Sequence, residues 1–130
     1  MKYMIQMNVP LAEWDAIMSS YSKDDMEAMF AHMNALNEDL TSNGEWVEGQ
    51  GLGGPSQVKT VRAGSDGRPQ VTEGPGQAGH ILAGYWVVDV KSEERALEIA
   101  ARASACPGPG GVPGSDPVEV HPIAEDPTGA

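Results

Sequence analysis

Ile81-Leu82-Ala83-Gly84-Tyr85-Trp86-Val87-Val88-Asp89-Val90 is the stretch on which the fold turns. It is rich in β-branched and aromatic residues, the types that fit a pleated surface. The run Tyr85-Trp86-Val87-Val88 has no polar alternation, so both faces of this strand are apolar and both need cover. Tyr85 and Trp86 are neighbours and point to opposite sides of a sheet. One of them meets the layer packed on the first face. The other lies on the second face and lines either a dimer seam or an apolar ligand pocket.

Outward from that strand, Ser92 caps a helix over residues 93–104. Glu93 and Glu94 stand in its first turn, and Ala96, Leu97, Ile99, Ala100 and Ala103 form its apolar face. Residues 105–117 are dominated by Gly and Pro and read as loop. Residues 118–123 alternate as a last strand, and 125–130 read as a flexible tail after one domain over 1–124. On the N-terminal side, Tyr3, Ile5 and Met7 alternate with Met4, Gln6 and Asn8, a first strand over 2–8 that Pro10 ends. Leu11, Trp14, Ile17 and Met18 make a short helical turn in the connection that follows. Ser22 is the N-cap of a long helix over 23–42, whose face is Met26, Met29, Phe30, Met33, Leu36 and Leu40. Strands follow over 46–52 and 58–62, then a hairpin turn at Ser65-Asp66-Gly67 and a short return over 70–72.

The order is therefore β-α-β-β-(β)-β-α-β, with two helices on one face of a largely antiparallel sheet. That is an α+β layout close to the ferredoxin-like split βαβ pattern. Two helices cover one sheet face and nothing is left for the other, which implies a dimer or a ligand cleft.

The chain has 130 residues, 19 acidic against 8 basic, for a net charge of −11. A surface this acidic repels phosphate backbones and anionic membranes, so nucleic acid and membrane are not the expected partners. Cys106 is the only cysteine, so no internal disulfide forms; beside Pro107 it reads as an incidental loop residue. The N-terminal apolar residues are broken by Gln6 and Asn8, which gives no signal-peptide core, and no stretch approaches a membrane span. The expected location is the cytoplasm.

Between the middle strands lies Val71-Thr72-Glu73-Gly74-Pro75-Gly76. Gly opens backbone conformations closed to other residues and Pro sets φ, so the turn can hold the Glu73 carboxylate at a strand end. Its plain reading is a tight turn with a solvated Glu. Its functional reading makes Glu73 a catalytic group and Gly74 and Pro75 ligand contacts. His32 has the same two readings: a boundary residue hydrogen-bonded to a neighbour, or a general acid or base facing a cleft, oriented by Glu73. Tyr85 and Trp86 complete the candidate ligand-binding set. His80 and His121 read as surface or edge residues. No two histidines show a metal-ligand spacing, so no metal site is expected. The glycines at 49, 51, 53 and 54 lack the Lys-Ser/Thr of a P-loop and the strand-to-helix context of a dinucleotide site, so no cofactor is expected either.

Several segments together resemble the YCII-related proteins, in the subgroup named for a D-G-P-F motif. They are Met1-Lys2-Tyr3-Met4, Phe30-Ala31-His32, Asn37-Glu38-Asp39-Leu40, Gly49-Gln50-Gly51-Leu52, Val58-Lys59-Thr60-Val61-Arg62, Asp66-Gly67-Arg68-Pro69, the stretch 82–90 and the closing 118–123. The resemblance covers most of residues 1–124 in order. It implies a ferredoxin-like fold whose sheets pair face to face as a dimeric α/β barrel, in a small cytoplasmic bacterial protein. It also implies an active-site pair of a His on the first helix and a nearby Asp; His32 stands on that helix. Some relatives are linked with extracytoplasmic-function sigma factors, and enzymes of related fold are isomerases or lyases of small cyclic compounds. This chain departs at the motif itself. Glu73 stands where the family has Asp, Gly74 and Pro75 match, and Gly76 replaces the Phe. Glu moves the charge one methylene outward, and Gly removes an aromatic able to close a pocket.

The expected function is a homodimer that binds a small organic ligand in a cleft near His32 and Glu73, with His/Glu acid-base chemistry of isomerase or lyase type. The alternative is a non-catalytic interaction or regulatory module.

Overall fold

The computed structural model describes residues 1–76 and 79–124, so the expected tail over 125–130 lies outside the described residues. In chain order the elements are β1 (Lys2–Pro10), α1 (Trp14–Ser19), α2 (Lys23–Ser42), β2 (Trp46–Gly51), β3 (Lys59–Ala63), β4 (Pro69–Glu73), β5 (His80–Asp89), α3 (Glu93–Ser104) and β6 (Val118–Pro122). Short 3-10 turns lie at Leu11–Glu13, Pro55–Gln57 and Pro109–Gly111.

Four strands form one sheet in the order β2-β5-β1-β6, and every neighbouring pair is antiparallel. This is the ferredoxin-like order, with α2 and α3 as the two crossover helices. The β3–β4 hairpin is an insertion between β2 and β5 and makes a separate two-stranded sheet. The main sheet is open at β2 and β6, so no closed barrel forms within the chain.

Register sorts the side chains into two faces. Ile5 stands opposite Trp86 and Val120, Tyr3 opposite Val88, and Trp46 opposite Val88. These residues join Leu36 and Leu40 of α2 and Ala96, Ile99, Ala100 and Ala103 of α3 in one core. Ile5, Leu36, Leu40, Ile99 and Val88 are fully enclosed; each such side chain stabilises the fold by about 1.5–3 kcal/mol. On the opposite face, Met4 pairs with Val87 and His121, Gln6 with Tyr85 and Glu119, and Glu48 and Gln50 flank Val87 and Tyr85. A register shift between Met7 and Asn8 flips the parity at the start of β5. It places Leu82, opposite Asn8, on the face of Tyr85, and Ile81, opposite Val9, on the helix side.

Ser22 starts α2 through a capping box. Its side chain accepts from the Asp25 backbone N–H, and the Asp25 carboxylate accepts from the Ser22 backbone N–H. Ser92 caps α3 in the same sense, accepting from the Arg95 backbone N–H. Each cap contributes about 1 kcal/mol. The two helices run antiparallel: Arg102, near the end of α3, meets Asp39 at 2.8 Å, and Arg95, near its start, meets Glu45 beyond the end of α2. At about 1.5 Å per residue, α3 is roughly 12 Å shorter than α2. The first turns of α2 therefore reach past α3 and lie against the loop after it, where Gly110 donates its backbone N–H to Asp25 at 3.0 Å. Phe30, on the expected apolar face, is exposed, whereas Met26 and Met29 are partly buried and Leu36 and Leu40 fully buried.

Trp86 is fixed on the helix side. Its Nε1–H donates to Asn37 Oδ1 at 2.7 Å across the sheet–helix boundary. Asn37→Ala leaves that indole N–H without a partner beside the core. Loss of about 1–2 kcal/mol in urea unfolding is expected, with a change in the Trp fluorescence of the native state.

Candidate functional site

Gly74 has φ +91°, a conformation that only glycine adopts without strain. The turn is then tied to the start of β3 twice. The Gly74 N–H donates to the Val58 carbonyl at 2.8 Å, and Thr60 Oγ1 donates to the Gly74 carbonyl at 2.9 Å. Those bonds aim Pro75 and Gly76 into an open cleft of about 470 Å³ at the end of the main sheet. Leu52, Val58 and Pro75 form apolar walls, Ile81 and Leu82 of β5 the floor, and Gln57 and His80 supply polar groups. The size lies within the range of small-molecule sites. Gly76 is open for a different reason from Gly74. Its φ is not positive, and a Cβ built there meets nothing nearer than Thr60 Oγ1 at 3.9 Å. Its missing side chain is therefore space in the cleft, not a requirement of the backbone.

Glu73 ends β4 just before this turn. Both its carboxylate oxygens accept from Lys59 Nζ at 2.8 Å, across a directly paired position of the hairpin. The side chain is 75 % exposed, so the pair contributes little to stability. His32 lies on α2, half-buried against the end of α3, with Nε2 2.7 Å from the Arg102 carbonyl oxygen. That carbonyl belongs to the last turn of α3, where intrahelical donors run out, and the imidazole satisfies it. Within one chain no hydrogen bond or ion pair joins His32 to Glu73. Neither residue lines the cleft, whereas Pro75 of the expected set does.

Tyr85 and Trp86 divide as their adjacency requires. Trp86 is in the core. Tyr85 lies on the uncovered sheet face, where its hydroxyl donates to Glu48 Oε1 at 2.5 Å. That bond, with smaller contributions from desolvation and the Glu48 charge, holds the phenol above its ordinary pKa and keeps it a donor. His121, on the same face, lies 3.0 Å from Glu119 Oε1. Burial raises the Cys106 thiol, which points its weak S–H at the Met29 carbonyl 3.8 Å away; the thiol form is not a nucleophile. Among the described residues, no three His, Cys, Asp or Glu side chains converge on a common point, and no helix is long and apolar enough to cross a membrane.

The YCII-related domain model matches residues 1–109, which spans β1 through α3 and includes the Gly-Pro turn and its cleft. The chain belongs to the YCII-related family. A comparison with curated proteins finds no match.

In this YCII-related chain the cleft draws on residues that sequence reading passes over. Leu52, Gln57, Val58 and Leu82 look like ordinary loop or strand residues. Only the Pro at 55, which sets a 3-10 turn through Gln57, hints that the chain folds back there. Trp14 packs beside the same reversal, its indole about 3.4 Å from the place a Gly54 Cβ would occupy. His80 lies at the cleft because β5 begins there, opposite Pro10. The signal that was available is the Gly-Pro turn, and it marks one wall of the site.

Proposed function

We propose that this YCII-related protein binds a small, largely apolar organic molecule in the cleft beside the Gly74-Pro75-Gly76 turn, and does so as a homodimer. The observation that carries the reading is the room at Gly76: a position free of backbone constraint carries no side chain where a family-type Phe would fill the cleft. The apolar walls take the body of the ligand. Gln57 and His80 supply the few polar contacts that orient it. The net charge of −11 disfavours strongly anionic ligands. The helix-free sheet face, where Met4 and Tyr85 stay partly exposed beside the buried Val87, is the surface for pairing with a second copy.

The test is a screen of neutral monocyclic carbonyl compounds and phenols, followed by amide chemical-shift changes. Binding shifts at Val58, Gly76 and Leu82 are expected. Gly76→Phe weakens that binding at least tenfold while unfolding at the same urea concentration. Unchanged affinity in Gly76→Phe, or hits whose shifts lie elsewhere, defeats the assignment of the site.

Acid-base chemistry of isomerase or lyase type is the extension of this reading. A carbonyl oxygen only accepts, so the bond to Arg102 puts the proton of neutral His32 on Nε2 and leaves the lone pair on Nδ1. That is the state of a general base; because neither His32 nor Glu73 lines the cleft within one chain and no bond joins them, this extension requires the pair to be completed across the dimer. His32→Ala is expected to abolish conversion of a bound compound while binding and the folded dimer persist. A variant that unfolds assigns His32 to the α2–α3 contact alone. The engagement of Glu73 by Lys59 favours the other reading, a non-catalytic interaction module. Co-purification of an extracytoplasmic-function sigma factor, with no cleft ligand in the screen, is its expected signature.

A further inference from the structure

Two glycines line the cleft without a backbone reason to be glycine: neither Gly53 nor Gly76 has a positive φ. At Gly76 the missing side chain leaves open space. At Gly53 it makes room for a neighbour. A Cβ built there collides with Gln57 Oε1 and lies 3.4 Å from Gln57 Cδ. The Gln57 side chain therefore folds back against the backbone of Gly53, and a side chain at 53 would push its carboxamide away. The 3-10 turn that opens with Pro55 sets up this arrangement. Its bond from the Gln57 backbone N–H to the Gly54 carbonyl, 3.0 Å long, returns residue 57 to the side of residue 53.

The carboxamide held in this way is unengaged. Among the described residues no hydrogen bond reaches it. His80, the other polar side chain of the lining, is not free. The remaining side chains of the wall, Leu52, Val58, Pro75, Ile81 and Leu82, are apolar. A carboxamide presents an N–H donor and a C=O acceptor side by side in one plane, and a half-turn of the amide keeps one of each. Its complement is a neutral group that carries the same two functions adjacent to each other. A cyclic amide is such a group, because the ring holds its N–H and C=O on the same side. Two parallel hydrogen bonds then form together. A ketone engages only the donor of Gln57. A carboxylate also only accepts, and it meets a chain of net charge −11.

We propose that Gln57 is the specificity-determining residue of the cleft and that it selects a small cyclic amide, a lactam or cyclic imide, through paired hydrogen bonds to the ring N–H and C=O. The apolar wall takes the ring carbons. The inference rests on the cleft reading above and names its ligand class; it needs neither the dimer nor the His32 and Glu73 chemistry. Gln57 is exposed, so water competes for its amide. The selection is therefore several-fold, far below that of a buried polar site.

Titration of the full chain with δ-valerolactam and with cyclohexanone, a ring of equal size, tests it through amide chemical shifts. The sign of the preference is diagnostic, because a merely apolar cleft favours cyclohexanone, the less hydrated ring. The wild-type chain is expected to bind the lactam about fivefold more tightly, the worth of one net hydrogen bond. Shifts are expected at Val58, Gly76, Leu82 and the Gln57 side-chain NH2. Gln57→Leu reverses the order of the two rings, and Gly53→Ala, which displaces the carboxamide, weakens lactam binding while leaving cyclohexanone binding unchanged. Both variants unfold at the wild-type urea concentration. Cyclohexanone bound in the cleft at least as tightly as the lactam by the wild-type chain, or a lactam preference that survives Gln57→Leu, overturns the role of Gln57 and leaves the cleft standing. If neither ring shifts the cleft resonances at the millimolar concentrations that ligands of this size require, the cleft reading and this inference fall together.

Discussion

Leu36→Ala is expected to lower the unfolding free energy by about 3 kcal/mol, the middle of the range for removing a fully buried leucine. Leu36 has no exposed surface and sits where α2 meets the sheet, among Ile5, Trp86, Val88 and Ile99. Truncation loses the transfer free energy of three carbons and leaves a cavity that two helices and a strand cannot close. For a chain of this length the melting temperature should fall by roughly 10 °C. Urea unfolding followed by far-UV circular dichroism measures both. A loss under 1 kcal/mol means that α2 re-seats on the sheet and that the core is softer than its enclosure indicates. Phe30→Ala, on the same expected face but exposed, is the contrast, with a change within about 0.5 kcal/mol.

Arg95→Ala should cost about 2–3 kcal/mol. The guanidinium takes both oxygens of Glu45 at 2.9 Å through Nε and Nη2, and reaches Glu98 at 3.2 Å. The side chains are 28 % and 13 % exposed, so the pair is partly screened and the loss falls below that of a fully buried one. Removal of Arg95 leaves the Glu45 carboxylate half enclosed without its cation. The backbone carbonyl of Glu45 also accepts from Asp89 at 2.8 Å, so the residue joins α3 to the end of β5. Hydrogen bonds from Arg95 are the main cause that holds the Glu45 carboxyl below its ordinary value, with its charge, Asn43 and Lys91 adding to them against desolvation. A carboxylate with a depressed folded pKa contributes stability that is complete above its unfolded value, about 4.3. That stability is lost as pH falls through the lower folded value. The difference between wild type and Arg95→Ala should therefore be constant from pH 5 to 8 and shrink below about pH 4. A difference that stays constant down to pH 2 removes the ion pair as the cause.

The helices and strands were readable because each carries its own local chemistry. Ser22 and Ser92 are hydroxyls placed where orphan N–H groups need acceptors, and both helices begin after them. The hairpin followed from Asp66-Gly67: Gly67 has φ +81°, and the Asp66 carboxylate accepts from the Arg68 N–H. Strand ends were less readable. β1 runs on to Pro10 because the first residues of β5 pair with it, a contact between positions 70 residues apart.

The candidate site divides in the same way. Pro75 at the cleft was legible from its turn, whereas Leu52 and Gln57 reach it on either side of the reversal at Pro55 and Leu82 through the register of β5, and neither feature says that a cleft forms there. His32 shows the limit most clearly. Its period along α2 placed it at the margin of the apolar face, but its partner, the Arg102 carbonyl, depends on where a shorter antiparallel helix stops.

Local periodicity, caps and turns determined the order of elements and the two-helix layer on one face of the sheet. They act over a few residues and survive in any context. The tertiary arrangement decided which of Tyr85 and Trp86 is core, which carboxylates are engaged, and that the space at Gly76 opens into a cleft. Those outcomes depend on register, on one bulge between Met7 and Asn8, and on the relative lengths of packed elements. A single-residue shift reverses every face of a strand, and no short window of sequence encodes it.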